Sequence, residues 1–182
     1  MSYPSYEHWF ASLSPEEQER TNELVSKLRA LGAVRPEDWA RSEISEDIPQ
    51  FARFLILRKI WPDIIDRWRR EPGVWIDRLI EIAERNPKER FADAGLALKR
   101  MRQSGVSAED IASVTRMAAY EAVFDVLDTI DTGCDFDSPF EGPDWSLMEV
   151  RPDGELTGRL VGGLHEDILS MDPSRREGSP EG

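Results

Sequence analysis

The chain has 182 residues, 40% of them hydrophobic and 32% charged, with six Trp and a net charge of −13. That balance excludes a disordered chain and allows one domain with a real core. The single cysteine, Cys134, excludes an intrachain disulfide and a cysteine-rich zinc site.

The charge is segregated. Residues 1–102 hold 18 basic and 18 acidic side chains, whereas residues 103–172 hold 3 basic and 16 acidic ones. Phosphates would be repelled by the acidic third, so nucleic acid is not the expected ligand there, and a basic protein or a cation is. The first ten residues carry no basic stretch followed by an apolar run. The longest purely apolar run is Phe54-Leu55-Ile56-Leu57. Neither a secretory signal nor a membrane span is expected, and the expected setting is cytoplasmic.

In chain order, Tyr6, Trp9, Phe10 and Leu13 have helical spacing and form a short lead-in. Ser14-Pro15-Glu16-Glu17 is a capping box with proline at the first helical position. The helix it opens carries Leu24, Val25, Leu28 and Leu31 on one side and closes at Gly32. A short helical piece from Pro36 to about Glu43 contributes Trp39. Between Ile48 and Arg70, Phe54, Leu57, Trp61, Ile64 and Trp68 form an apolar stripe, which Pro62 should kink near Trp61. The arginines of the opposite face could meet nucleic acid, but the tryptophans share the core stripe.

Pro72-Gly73 breaks the chain, and Val74 to Arg85 is helical, with Trp75, Ile76, Leu79, Ile80 and Ala83 on its buried side. Asn86-Pro87-Lys88-Glu89 reads as a stop and a capped restart, giving a helix that buries Phe91, Ala94, Leu98 and Met101 before Gly105. Ser107 to Gly133 is the most apolar segment. It is expected to be a long helix, apolar nearly all round and central to the bundle, with a polar stripe of Glu121, Asp125, Asp128 and Thr132.

The character then changes. Asp131 to Asp144 is a loop rich in acids, Gly and Pro. Trp145 to Val150 and Glu155 to Val161 read as two strands joined at Pro152-Asp153-Gly154. A lone hairpin is marginal in water, so it must dock, with Trp145, Leu147, Met148 and Val150 as the apolar contacts. Leu164 to Met171 is a last short helix, and the polar residues 173–182 are expected to form a flexible tail. The fold class is mainly α: an irregular helical bundle around a central buried helix, with a small C-terminal β-hairpin at about 145–161, in one domain over 1–172.

Motifs for catalysis are sparse. Only His8 and His165 are present, and no nucleophile elbow, zinc-protease, phosphate-loop or dinucleotide motif occurs. Cys134, His165 and an Asp are the residue types of a thiol nucleophile, without a spacing that brings them together. Glu81 and Glu84, and Asp125 and Asp128, are carboxylate pairs one helical turn apart, the oxygen ligands that Mg²⁺ or Mn²⁺ take. This spacing resembles the ExxE…ExxD pattern of all-α nucleoside triphosphate pyrophosphatases of the MazG type. The resemblance covers four residues, and its second half here is Asp-x-x-Asp. It implies a divalent-metal-dependent phosphohydrolase as the alternative function. The loop acids fail the calcium-loop test, since Phe136 stands at the turn glycine and Gly142 at the bidentate Glu.

The reading the sequence favours is non-enzymatic: an acidic binding protein for a basic partner protein, of inhibitor or immunity type. Asp131, Asp135, Asp137, Glu141 and Asp144 form its expected partner-binding surface, with no cofactor. A structural or assembly subunit is the third reading, and exposed apolar patches would mark it.

Overall fold

The computed structural model describes residues 4–173. It is mainly α-helical, with eight α-helices and one antiparallel hairpin among the described residues. Of the stretch 173–182, expected to be flexible, all but Pro173 lies outside them. No helix there is long and apolar enough to cross a membrane. The chain divides into two compact units, Met1–Arg58 with Val126–Gly182, and Lys59–Asp125.

The first unit opens with α1 (Tyr6–Ala11), capped by the Ser5 hydroxyl, which accepts the His8 N–H. The expected capping box starts α2 (Pro15–Ala30): the Ser14 hydroxyl accepts from Glu17 N–H, and the Glu17 carboxylate accepts from Ser14 N–H. Helix α3 (Pro36–Glu46) runs three residues beyond the expected end at Glu43 and stops at Asp47, whose φ of 54° is left-handed. Leu24, Val25, Leu28, Ala40 and Phe54 form the core, the last from α4 (Gln50–Ile60). Trp39 meets Phe54 edge-on at 5.6 Å between centroids.

The hairpin pairs β1 (Leu147–Val150) with β2 (Leu156–Val161), Leu147 opposite Val161 and Val150 opposite Leu156, with a shift of register between Met148 and Val150. Its docking differs from the apolar packing expected. Trp145, Leu147 and Val150 are exposed, Met148 is half-buried, and only Val161 is buried. The anchor is Arg159, whose guanidinium reaches Glu43 at 3.1 Å, Glu149 at 3.1 Å and Asp47 at 3.2 Å. Alternation along a strand identifies a face but not which face is covered, and here the polar one is. After the hairpin, α8 (Leu164–Asp167) buries Leu164, and Ile168 is buried just beyond it.

The second unit begins at Lys59, in the last turn of α4, just before Pro62. A π-helical turn over Trp61–Ile65 and a 3₁₀ turn over Asp66–Arg69 follow, and Asp66 N–H donates to the Trp61 carbonyl. A π turn inserts one residue into the helical repeat, so the apolar stripe slips by one. Ile65 is therefore fully buried, and Ile64, expected in the stripe, is 45% exposed.

Helix α5 (Pro72–Arg85) packs against α6 (Ala92–Gln103). The restart expected at Pro87 is displaced: α6 begins at Ala92, after a turn. Its inner face is Ala92 and Gly95, whereas Phe91 and Met101 are exposed. The cause is a close approach. A Cβ on Gly95 would stand 2.5 Å from both the Leu79 carbonyl oxygen and the Ala83 Cβ. Small residues set that interface, and the large ones are turned out.

Helix α7 (Ala108–Thr132) forms over the expected range. Its all-round apolar character does not become all-round burial. Ala108, Ile111, Ala112 and Leu127 are buried, but Val114, Met117 and Val126 are more than half exposed. Within the second unit, Ile76, Ala108 and Ile111 form a core, and Arg116 pairs with Asp66 at 2.6 Å.

Candidate functional site: an acidic aromatic loop

Gly133, at φ 72°, ends α7 and starts the loop. The loop base is closed by Trp145, whose backbone N–H donates to the Gly133 carbonyl at 2.7 Å and whose indole N–H donates to the Thr129 carbonyl at 3.1 Å. A Cβ on Gly133 would lie 2.8 Å from the Trp145 carbonyl oxygen, so this closure requires glycine. Between these posts the chain makes a compact surface loop of the Ω kind.

The loop is held by its own hydrogen bonds. Asp137 N–H donates to the Asp135 side chain at 3.1 Å, and Phe140 N–H donates to the Ser138 hydroxyl at 3.2 Å. Ser138 Oγ in turn donates to the Phe140 carbonyl at 3.0 Å. Such local order presents Phe136, 85% exposed, and Phe140, 80% exposed. Asp135, Asp137, Glu141 and Asp144 are exposed beside them, and none is ion-paired among the described residues. Sequence reasoning found these acids and passed over the two phenylalanines. The signal was present: two aromatics four residues apart in a segment otherwise made of acids, Gly, Pro and Ser.

Asp131 belongs elsewhere. It was grouped with the exposed acids, but it lies in the last turn of α7 with its side chain 5% exposed. Its carboxylate accepts the His165 backbone N–H at 3.0 Å and faces His165 Nδ1 at 2.7 Å. His165 Nε2 lies 3.7 Å from Asp128. A histidine after a glycine turn thus ties the start of α8 to the Asp131 side chain in the last turn of α7. Cys134 is a half-buried free thiol.

A second buried polar cluster was also missed. Arg53, one of the arginines on the face opposite the apolar stripe, is buried and donates to the Gly163 carbonyl and to Asp167, both at 2.6 Å. Burial raises the Asp167 carboxyl above its ordinary value, Arg53 opposes the rise, and Glu166 adds to it.

The carboxylates of the metal reading have other partners. Glu81 is bound to Arg85 and Glu84 to Lys99. Asp125 and Asp128 are exposed on α7, the latter near His165. Among the described residues no group of three or more His, Cys, Asp or Glu side chains is placed to hold a metal ion.

The charge also follows the two units. Lys59–Asp125 contains 12 basic and 12 acidic side chains, so the net charge of −13 lies wholly in the other unit, the one that carries the loop. No family model, curated protein or solved structure matches the chain.

Proposed function

We propose that this chain is a non-enzymatic binding protein for a basic partner protein, of the inhibitor or immunity kind. The observation that carries the reading is the exposure of Phe136 and Phe140 among four acids not ion-paired among the described residues, on a loop closed at its base. An exposed aromatic side chain is a costly surface group and an effective anchor, because it buries a large area for the loss of two torsions. Acids around it speed encounter with a basic surface and select against acidic ones. Hydrogen bonds within the loop lower the ordering cost of binding.

The test is capture from a lysate of the source organism at low and high salt, followed by binding kinetics on the retained protein. Asp135→Asn with Asp137→Asn should slow association. Phe136→Ser with Phe140→Ser should speed dissociation. A retained basic protein that binds both variants as the parent does would overturn the reading.

A further inference from the structure

The order of chemistries along the loop narrows the partner. Asp135 and Asp137 flank Phe136, and Glu141 follows Phe140, so each exposed ring sits beside carboxylates. The stretch from Met117 to Val150 holds nine acids and no Lys, Arg or His, so nothing along it offsets that charge. Neither ring contacts another aromatic ring among the described residues, which leaves both faces of each ring for a partner.

A surface that is basic and nothing more matches the carboxylates and leaves the rings in water. A single nucleic-acid strand has the same two components as the loop, flat rings carried among negative charges. Proteins that hold such a strand use a positive groove with aromatic or arginine faces on which the bases stack. Those faces also take a phenylalanine ring by offset or edge contact, and the groove's arginines and lysines also take a carboxylate.

We propose that the partner is a nucleic-acid-binding protein and that the loop occupies its single-strand groove. Phe136 and Phe140 stand where bases stack, and Asp135, Asp137, Glu141 and Asp144 stand where phosphates lie. The chain and a strand then exclude each other, so this chain blocks the partner's hold on nucleic acid. Repulsion between the acidic region and phosphates is no obstacle, since the two are rivals for one groove. The inference rests on the basic-partner reading and gives that partner a class.

The test uses the full chain and the basic protein it retains from a nuclease-treated lysate, with a fluorescent single strand of deoxythymidine as the probe. The retained protein should bind the strand. The chain should displace it competitively, the apparent Kd of the strand rising in proportion to the chain added. Phe136→Ser with Phe140→Ser keeps every charge, and about tenfold more of that variant should be needed for the same displacement. Both side chains are exposed, so its circular dichroism should match the parent's. A retained protein that does not bind the strand, one that holds strand and chain together, or a serine variant that competes as well as the parent overturns the inference. The basic-partner reading survives the first two, because the protein is still captured, and it survives the third if neutralising Asp135 and Asp137 slows association. A lysate that yields no basic protein removes both.

Discussion

Asp131 Oδ2 stands 2.7 Å from His165 Nδ1 and 3.0 Å from the His165 backbone N–H, so one carboxylate oxygen holds both ends of the same residue. The other oxygen, Oδ1, is buried without a hydrogen bond among the described residues. This pair ties the start of α8 to the end of α7 across 34 positions of sequence.

His165→Ala should therefore destabilise the protein by about 2–3 kcal/mol, because a nearly buried carboxylate loses its side-chain donor. Asp131→Ala with His165→Ala should cost less than the sum of the two single changes. Urea unfolding of the four proteins checks this. Additive losses would mean the pair contributes no coupling.

The π turn at Pro62 makes a sharper forecast about neighbouring isoleucines. Ile65→Ala should cost about 2–5 kcal/mol as a fully buried large-to-small change. Ile64→Ala should cost well under half of that, because Ile64 is largely in solvent. A helix continued regularly from Ile60 reverses the order, so thermal melts of the two variants report directly on the register.

Gly95→Ala tests the α5–α6 approach. Alanine is the better helix former and would stabilise an exposed site by about 1 kcal/mol. Here its Cβ would meet the Leu79 carbonyl oxygen at 2.5 Å, so the expected result is a loss of about 1–3 kcal/mol. An unchanged or raised Tm would show that the helices separate without cost.

Elements whose signals are local were legible in the sequence. Ser14 and Glu17 announce the start of α2 through side chains that bond three residues away, and Gly133 announces the end of α7. Pro152-Asp153-Gly154 announces the hairpin turn. What failed depended on partners far along the chain. Phe91 has the spacing of a core residue, but Gly95 presses against Leu79 instead, and Arg53 lies opposite the apolar stripe, where Gly163 and Asp167 cover it. Asp131 and Asp135 are both aspartates in one acidic stretch, and only the placement of His165 separates the buried one from the exposed one. The acids of the loop could be read from composition. Phe136 and Phe140 stood four residues apart beside them, but that they face outward could not be read, because periodicity has no rule for aromatics in loops.

The Arg159 anchor replaces the apolar docking expected for the hairpin, and this changes what should break it. Arg159→Met removes the cation shared by Glu43, Glu149 and Asp47 and leaves Glu43, which is buried, short of a partner. A loss of about 3 kcal/mol is expected, the scale for stripping one partner from a buried ion pair. Leu147→Ala should have a small effect, since that side chain is exposed. If Leu147→Ala proves the costlier change in urea unfolding, the hairpin is held by apolar contact after all.

Asp167 supplies the pH dependence. Burial raises its carboxyl above the ordinary 3.8, against the pull of Arg53 at 2.6 Å, and Glu166 adds to the rise. The folded chain therefore keeps this proton at pH values where the unfolded chain has released it. The unfolded state then binds fewer protons, so stability falls as pH rises through that window. The contribution is complete below pH 3.8 and is lost as pH climbs past the raised folded value. Asp167→Asn keeps a hydrogen-bonding side chain and removes the titration. Its own pH dependence should lack this segment, so the stability of the parent relative to the variant should decline from pH 3.8 upward and then level off. Differential scanning calorimetry of both proteins across that range measures it. A parent that instead gains on Asp167→Asn as pH rises would mean that the Arg53 ion pair outweighs the burial of the carboxylate.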